Sequence, residues 1–197
     1  MDPGKFSYKN MEQADLQTAL ECRNGNLKKF GELYEKYVDK IYSFVYYKTF
    51  HKEIAEDIVS QTFIQALEKI RTFNEKKGSF KSWLYRIARN LVIDYYRSKK
   101  TDIDIDQIWD LHAESDTARS ADTNIEIKKL YEYLKILNRR EREIIIMRLW
   151  DGLSYGEISR ILGKSIAGCK MMFARVVAKI RADIAAIITI IFIQLLN

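Results

Sequence analysis

The sequence predicts an all-α protein of two helical domains joined by an acidic flexible linker, the second domain containing a helix-turn-helix. Three observations carry this. A single Pro, at position 3, and eight Gly among 197 residues leave long stretches of three-four apolar spacing uninterrupted, and no alternating strand-like run competes with them. Charge falls in three blocks: residues 1–100 and 124–197 each carry a net +6, whereas residues 101–123 hold seven acids against Arg119 alone, a net −6. That acidic strip is rich in Asp, Ser and Thr, with too little apolar content to fold alone. The domains are therefore expected at 1–100 and 124–183, with a linker at 101–123 and an apolar tail at 184–197.

In chain order, helices are expected near 11–22, 27–50, 53–73 and 79–98. Phe30, Leu33, Tyr37, Ile41, Phe44 and Val45 stripe the second, and Ile54, Ile58, Phe63, Ala66, Leu67 and Ile70 stripe the third, as core faces. The stretch "TFNEKKGSF" breaks the periodicity with Asn, Lys and Gly and reads as a loop. The fourth helix opens with "SFKSWLYRIARN". Phe80, Trp83, Leu84, Ile87, Ala88, Leu91 and Tyr95 form its expected core face, leaving Tyr85, Arg86, Arg89, Tyr96 and Arg97 opposite. Exposed rings interleaved with Arg suit nucleic acid, through base stacking and phosphate neutralisation. A solvated face whose long stems cover apolar surface would show the same pattern.

In the second domain, Ser154 followed by Glu157 fits a capping box, so a short helix should start there and end at Gly163, with Ser165 capping the next. A helix to Trp150, a tight turn, a short helix, a Gly turn and a longer helix make a helix-turn-helix; a plain three-helix bundle uses the same caps.

Other chemistries find little support. His51 and His112 are isolated, Cys22 and Cys169 lack metal-ligand or disulfide spacing, and no phosphate-binding Gly loop occurs, so neither catalysis, cofactor nor metal is expected. With no signal peptide ahead of the first helix, a cytoplasmic location is expected. The tail "DIAAIITIIFIQLLN" is shorter than the roughly 20 apolar residues of a spanning helix. It should fold back on its own domain or dock a partner, with membrane contact the lesser alternative.

Taken together, "AEDIVSQTFIQALEKI", "GSFKSWLYRIARNLVIDYYR" and "LSYGEISRILGKS" resemble bacterial sigma factors of the sigma-70 superfamily, in the small extracytoplasmic-function-like type, over residues 27–100 and 124–181. The resemblance implies that the first domain is sigma region 2, which grips the beta-prime clamp helices of core RNA polymerase and melts the promoter. It places core contacts at Asp57, Gln61 and Gln65, although the family usually has an acid where this chain has Gln61. Asp57 is then the stronger candidate, with a first-turn acid favoured by the helix dipole as the lesser alternative.

By the same resemblance, the loop and fourth helix hold an extruded base of the minus-ten element. The expected contacts are Asn74, Lys76, Lys77, Lys81, Tyr85, Arg86, Arg89, Asn90, Tyr96 and Arg97, with Trp83 packed beneath. The second domain resembles sigma region 4, which reads the minus-thirty-five element and meets the beta flap. Lys164, Ser165, Lys170, Met171, Arg175 and Lys179 are its candidate DNA contacts. Met172, Ala174, Val177 and Ala178 stand where the family often has cationic donors, so weaker or less selective binding is expected there. The acidic linker either threads the polymerase or is a solvated tether. The implied partners are core polymerase, promoter DNA and an anti-sigma protein, and the rival function is a free-standing helix-turn-helix regulator.

Overall fold

The long apolar stripes build helices that bury one face and leave polar residues in water. In the computed structural model, residues 3–98 and 137–196 are described, with side chains over 13–98, 137–138 and 140–182. The expected linker at 101–123 lies outside them. The described residues contain no strand.

The amino-terminal set comprises α1 (Pro3–Arg23), α2 (Phe30–Thr49), α3 (Lys52–Glu68) and α4 (Phe80–Ser98). Helix α1 begins eight residues earlier than the periodicity suggests, since Pro at a first helical position costs no hydrogen bond. A 3₁₀ turn at Leu27–Lys29 leads into α2, which ends where Phe50 adopts a left-handed conformation (φ 49°). Helix α3 stops at Glu68, and the remainder of the expected 53–73 helix becomes a 3₁₀ turn at Ile70–Thr72. Tyr37, Phe44, Phe63, Phe73 and Phe80 are all buried between these helices. Their rings meet at centroid distances such as 5.8 Å for Tyr37–Phe80 and 5.9 Å for Phe73–Phe80, separations at which aromatic pairs attract.

The carboxy-terminal set comprises α5 (Arg139–Ile145), α6 (Tyr155–Leu162) and α7 (Ile166–Leu196). Here the local signals translate directly. Asn138 and Glu141 form a capping box for α5, and Ser154 and Glu157 form one for α6. Gly163 terminates α6 in the left-handed conformation (φ 65°), and the Ser165 hydroxyl accepts from the Gly168 N–H at 3.0 Å to start α7. Helix α5 widens into a π-helical turn at Ile146–Trp150 before the tight turn. The α6–turn–α7 arrangement is a helix-turn-helix. Helix α7 runs without a break through the stretch expected as a separate tail, and no helix among the described residues is long and apolar enough to cross a membrane.

The two sets pack directly on one another, chiefly α4 against α6 and α2 against α5. This corrects the expected burial of α4. Tyr85 and Tyr96, read as exposed, are 0% and 1% exposed, whereas Trp83, Ile87, Leu91 and Tyr95 are only partly buried. Helix α4 is covered on more than one side, so its buried arc is wider than its strongest apolar stripe. The Tyr85 ring meets Phe44 at 5.0 Å, and the Tyr96 hydroxyl donates to the Lys48 carbonyl at 3.4 Å. Leu67, assigned to the core of α3, is 38% exposed, because α3 ends one residue later and its outer side is left partly uncovered among the described residues.

Candidate nucleic-acid interface

With Tyr85 and Tyr96 removed from the surface, the exposed part of the predicted α4 face is narrower and more purely polar. Arg86, Asn90 and Arg97 are exposed and fall within roughly 40° of one another at about 100° per residue. Arg97 lies 3.8 Å from Asp94 in an exposed pair, which contributes little on its own. Arg89 and Lys81 are not open. Arg89 Nε donates to Glu143 at 2.8 Å, and Lys81 Nζ donates to the Asp151 carbonyl at 2.6 Å.

The loop before α4 is held rigidly for its length. Phe73 is buried edge-on against Phe80 and Trp83, and Arg23 donates both to the Phe73 carbonyl, at 3.2 Å, and to Glu75, at 2.7 Å. Hydrogen bonding within its own backbone and to Arg23 lowers the Glu75 carboxyl below its ordinary value. The Asn74 carboxamide accepts from the Lys76 N–H at 3.0 Å and starts a short 3₁₀ turn. Asn74, Lys76 and Lys77 are exposed, and a shallow cleft is lined by Asn74, Lys77, Gly78, Ser82, Trp83 and Arg86, with Arg160 of α6 alongside. Trp83 forms part of the cleft wall rather than lying wholly beneath it. An indole in a cleft with three cations, Lys77, Arg86 and Arg160, is a combination suited to contacting a base and neutralising its phosphate.

On α3, Asp57 and Gln61 are exposed, while Gln65 is half-buried and accepts from Lys69 at 2.9 Å. Their spacing of four places all three along one face of α3. Pattern reading missed the apolar members nearby: Ile64 is 54% exposed, and Tyr34 of α2 is 46% exposed at the edge of a groove that also includes Val38, Val59 and Phe63. Exposed large apolar side chains beside polar ones mark a protein-binding surface. The signal was present as Ile64 off the core stripe, but one misplaced Ile is common.

In the carboxy-terminal set, Lys164, Ser165, Met171 and Arg175 line one open groove between the start of α5 and α7. Asn138 and Arg140 close its other wall, and neither was foreseen because they belong to a different helix. Lys179 is exposed but pairs with Glu141 at 3.1 Å, and Lys170 points away, its ammonium 6.0 Å from the Tyr155 ring. The groove thus presents three cations, Arg140 of α5, Lys164 before α7 and Arg175 within it, together with the acid Glu141, along the helix that in a helix-turn-helix contacts base edges and phosphates.

A helix-turn-helix joined to a second helical set with its own basic cleft defines a two-part DNA-binding protein. Comparison with known sequences is more specific: residues 33–101 match sigma-70 region 2, and residues 127–180 match sigma-70 region 4. The chain is 33% identical over 165 residues to the ECF RNA polymerase sigma factor BldN of Streptomyces coelicolor, covering 82% of this chain but only 62% of BldN. It is 32% identical over 154 residues to the ECF RNA polymerase sigma factor SigM of Bacillus subtilis, covering 77% of this chain and 92% of SigM.

Two solved complexes share the fold. CnrH bound to the cytosolic domain of CnrY matches with a TM-score of 0.65 at 21% identity, covering 88% of this chain and 98% of that one. The sigma factor RpoE bound to the anti-sigma factor NepR, from Bartonella quintana, gives 0.62 at 20% identity, covering 79% and 96%. The chain belongs to the sigma-70 superfamily, in the ECF group of RNA polymerase sigma factors, and its function is promoter-specific transcription initiation.

Proposed function

We propose that residues 1–100 bind core RNA polymerase and melt the minus-ten element, while residues 124–183 read the minus-thirty-five element and meet the beta flap, with 101–123 as the connecting linker. The observation that carries this reading is the division of labour among exposed faces. Asp57 and Gln61, beside exposed Ile64, form a mixed polar and apolar face suited to the beta-prime clamp helices. Asn74, Lys76, Lys77, Arg86, Asn90 and Arg97, with the Trp83 edge, form a face suited to a separated strand. Arg140, Lys164, Ser165, Met171 and Arg175 suit a duplex.

The protein acts without catalysis of its own and works in the cytoplasm, where its polymerase and promoter are. An anti-sigma protein is a further partner, by analogy with the complexes of CnrH and RpoE. Run-off transcription with core polymerase and fragmented genomic DNA tests the whole reading. Discrete start sites that require this chain support it, and transcription unchanged by adding the chain refutes it.

A further inference from the structure

Helix α7 carries an exposed face whose chemistry phosphate contact does not explain. Cys169 and Val176 are buried and fix the side of the helix that faces its own set. Met172, Phe173, Val177 and Ile180 are partly buried and pack against the same core. At about 100° per residue, Ala167, Met171, Ala174 and Ala178 fall within roughly 60° of one another on the opposite side. All four are exposed, Met171 by 57%. The outermost stripe of the helix thus contains no hydroxyl, amide or charged group.

Cations border the stripe. Lys170 and Arg175 are both exposed and lie about 70° to either side of its centre. Other polar groups along the helix are engaged within the set: Ser165 accepts from the Gly168 N–H at 3.0 Å as the cap, and Lys179 pairs with Glu141 at 3.1 Å. A helix lying in a major groove turns its outermost stripe to the base edges and its borders to the walls, where the phosphates run. Here the borders are cationic and the stripe between them is apolar.

We infer that α7 reads its duplex by apolar contact with thymine methyl groups, with Met171 the residue that selects for thymine and Lys170 and Arg175 holding phosphates. The inference rests on the assignment of α7 to the minus-thirty-five duplex above. In the major groove, guanine, adenine and cytosine present hydrogen-bonding groups, and the C5-methyl of thymine is the one apolar substituent. A thioether placed over any of the other edges strips water from a donor or acceptor and returns no hydrogen bond. Over thymine it buries a methyl. Ala167 and Ala174, about one turn before and after Met171, are short enough to let the groove floor approach closely. The absence of donors at Ala174 and Ala178 therefore changes what is read, and is not only a loss of affinity.

The test uses holoenzyme assembled from the full chain and core polymerase, on a promoter mapped by the run-off experiment above. Each thymine of its minus-thirty-five element, on either strand, is replaced in turn by deoxyuridine, which removes the methyl and leaves base pairing intact. At one thymine or more, deoxyuridine should weaken binding about fourfold, the worth of one buried methyl. Met171→Ala should weaken binding to the parent duplex and become indifferent to that same replacement, because side chain and methyl form one interaction. Met171→Arg should shift the preferred base there from thymine to guanine, whose O6 and N7 accept from a guanidinium. A changed preference cannot come from a misfolded helix. Binding indifferent to every deoxyuridine, an equal deoxyuridine penalty in parent and Met171→Ala, or a thymine preference kept by Met171→Arg overturns the methyl readout. Arg175→Ala separates this from failure of the underlying assignment. Weaker duplex binding by Arg175→Ala without any methyl effect removes the methyl readout alone, whereas no effect of either removes the assignment of α7 to the duplex as well.

Discussion

Asp151, in the turn before the helix-turn-helix, is 8% exposed and packs against α4 of the other helical set. Its Oδ2 and the Tyr85 hydroxyl are both buried without a hydrogen bond of ordinary geometry, although each is the other's polar neighbour. Burial raises the carboxyl from 3.8 to about 7, against the lowering influence of the Tyr85 hydroxyl, Lys81 and Lys40. The folded form therefore prefers the protonated acid. Ionisation carries no penalty below pH 3.8, costs progressively more up to about pH 7, and costs a constant amount above that.

The full shift corresponds to roughly 4 kcal/mol at about 1.4 kcal/mol per unit, of which roughly 2–3 kcal/mol develops between about pH 5 and 8. Asp151→Asn keeps the backbone carbonyl that Lys81 uses and removes the ionisation. Urea unfolding of parent and variant should show the variant's advantage growing by about that 2–3 kcal/mol from about pH 5 to about pH 8. A constant difference across this range, or one that grows toward acid, would refute the claim that Asp151 is ionised at a cost in the folded chain.

Three further outcomes are expected. Asp57→Arg should weaken binding to core polymerase in a pull-down titration while leaving the melting temperature unchanged, since Asp57 is exposed and packs on nothing in the core. Arg86→Ala should reduce permanganate reactivity of melted promoter thymines without changing stability, whereas Tyr85→Ala should lose about 3–5 kcal/mol of folding stability on chemical denaturation, as for other buried aromatics. Arg140→Ala and Arg175→Ala should each lower the slope of log affinity against log salt on duplex promoter DNA by about one, the signature of a lost phosphate contact.

What sequence alone could settle was whatever depends on residues a few positions apart. The capping box at Ser154, the helix stop at Gly163 and the Ser165 cap all act through backbone groups within one turn, and tertiary packing need not be known to place them; the box at Asn138 and Glu141 carries the same local signal and was missed. The apolar stripes of α2 and most of α3 were legible for a related reason, since a single buried face leaves a single period.

Helix α4 was different. Its burial depends on α6, some 60 residues later, and a periodicity argument assumes one covered side. Tyr85 and Tyr96 therefore read as exposed rings, and Arg89 as an open cation, until α2 was seen against both rings, Asp151 of the second set beside Tyr85, and Glu143 of that set on Arg89. The same holds for Arg140, which joins Lys164 and Arg175 only because α5 and the start of α7 come together in space. Residue types and helical faces belong to the sequence, because hydrophobicity, capping and charge act locally. Which face stays in water, and which cation finds a carboxylate before it can find a phosphate, was decided by the contact between the two helical sets, because burial and pairing are set by neighbours distant along the chain.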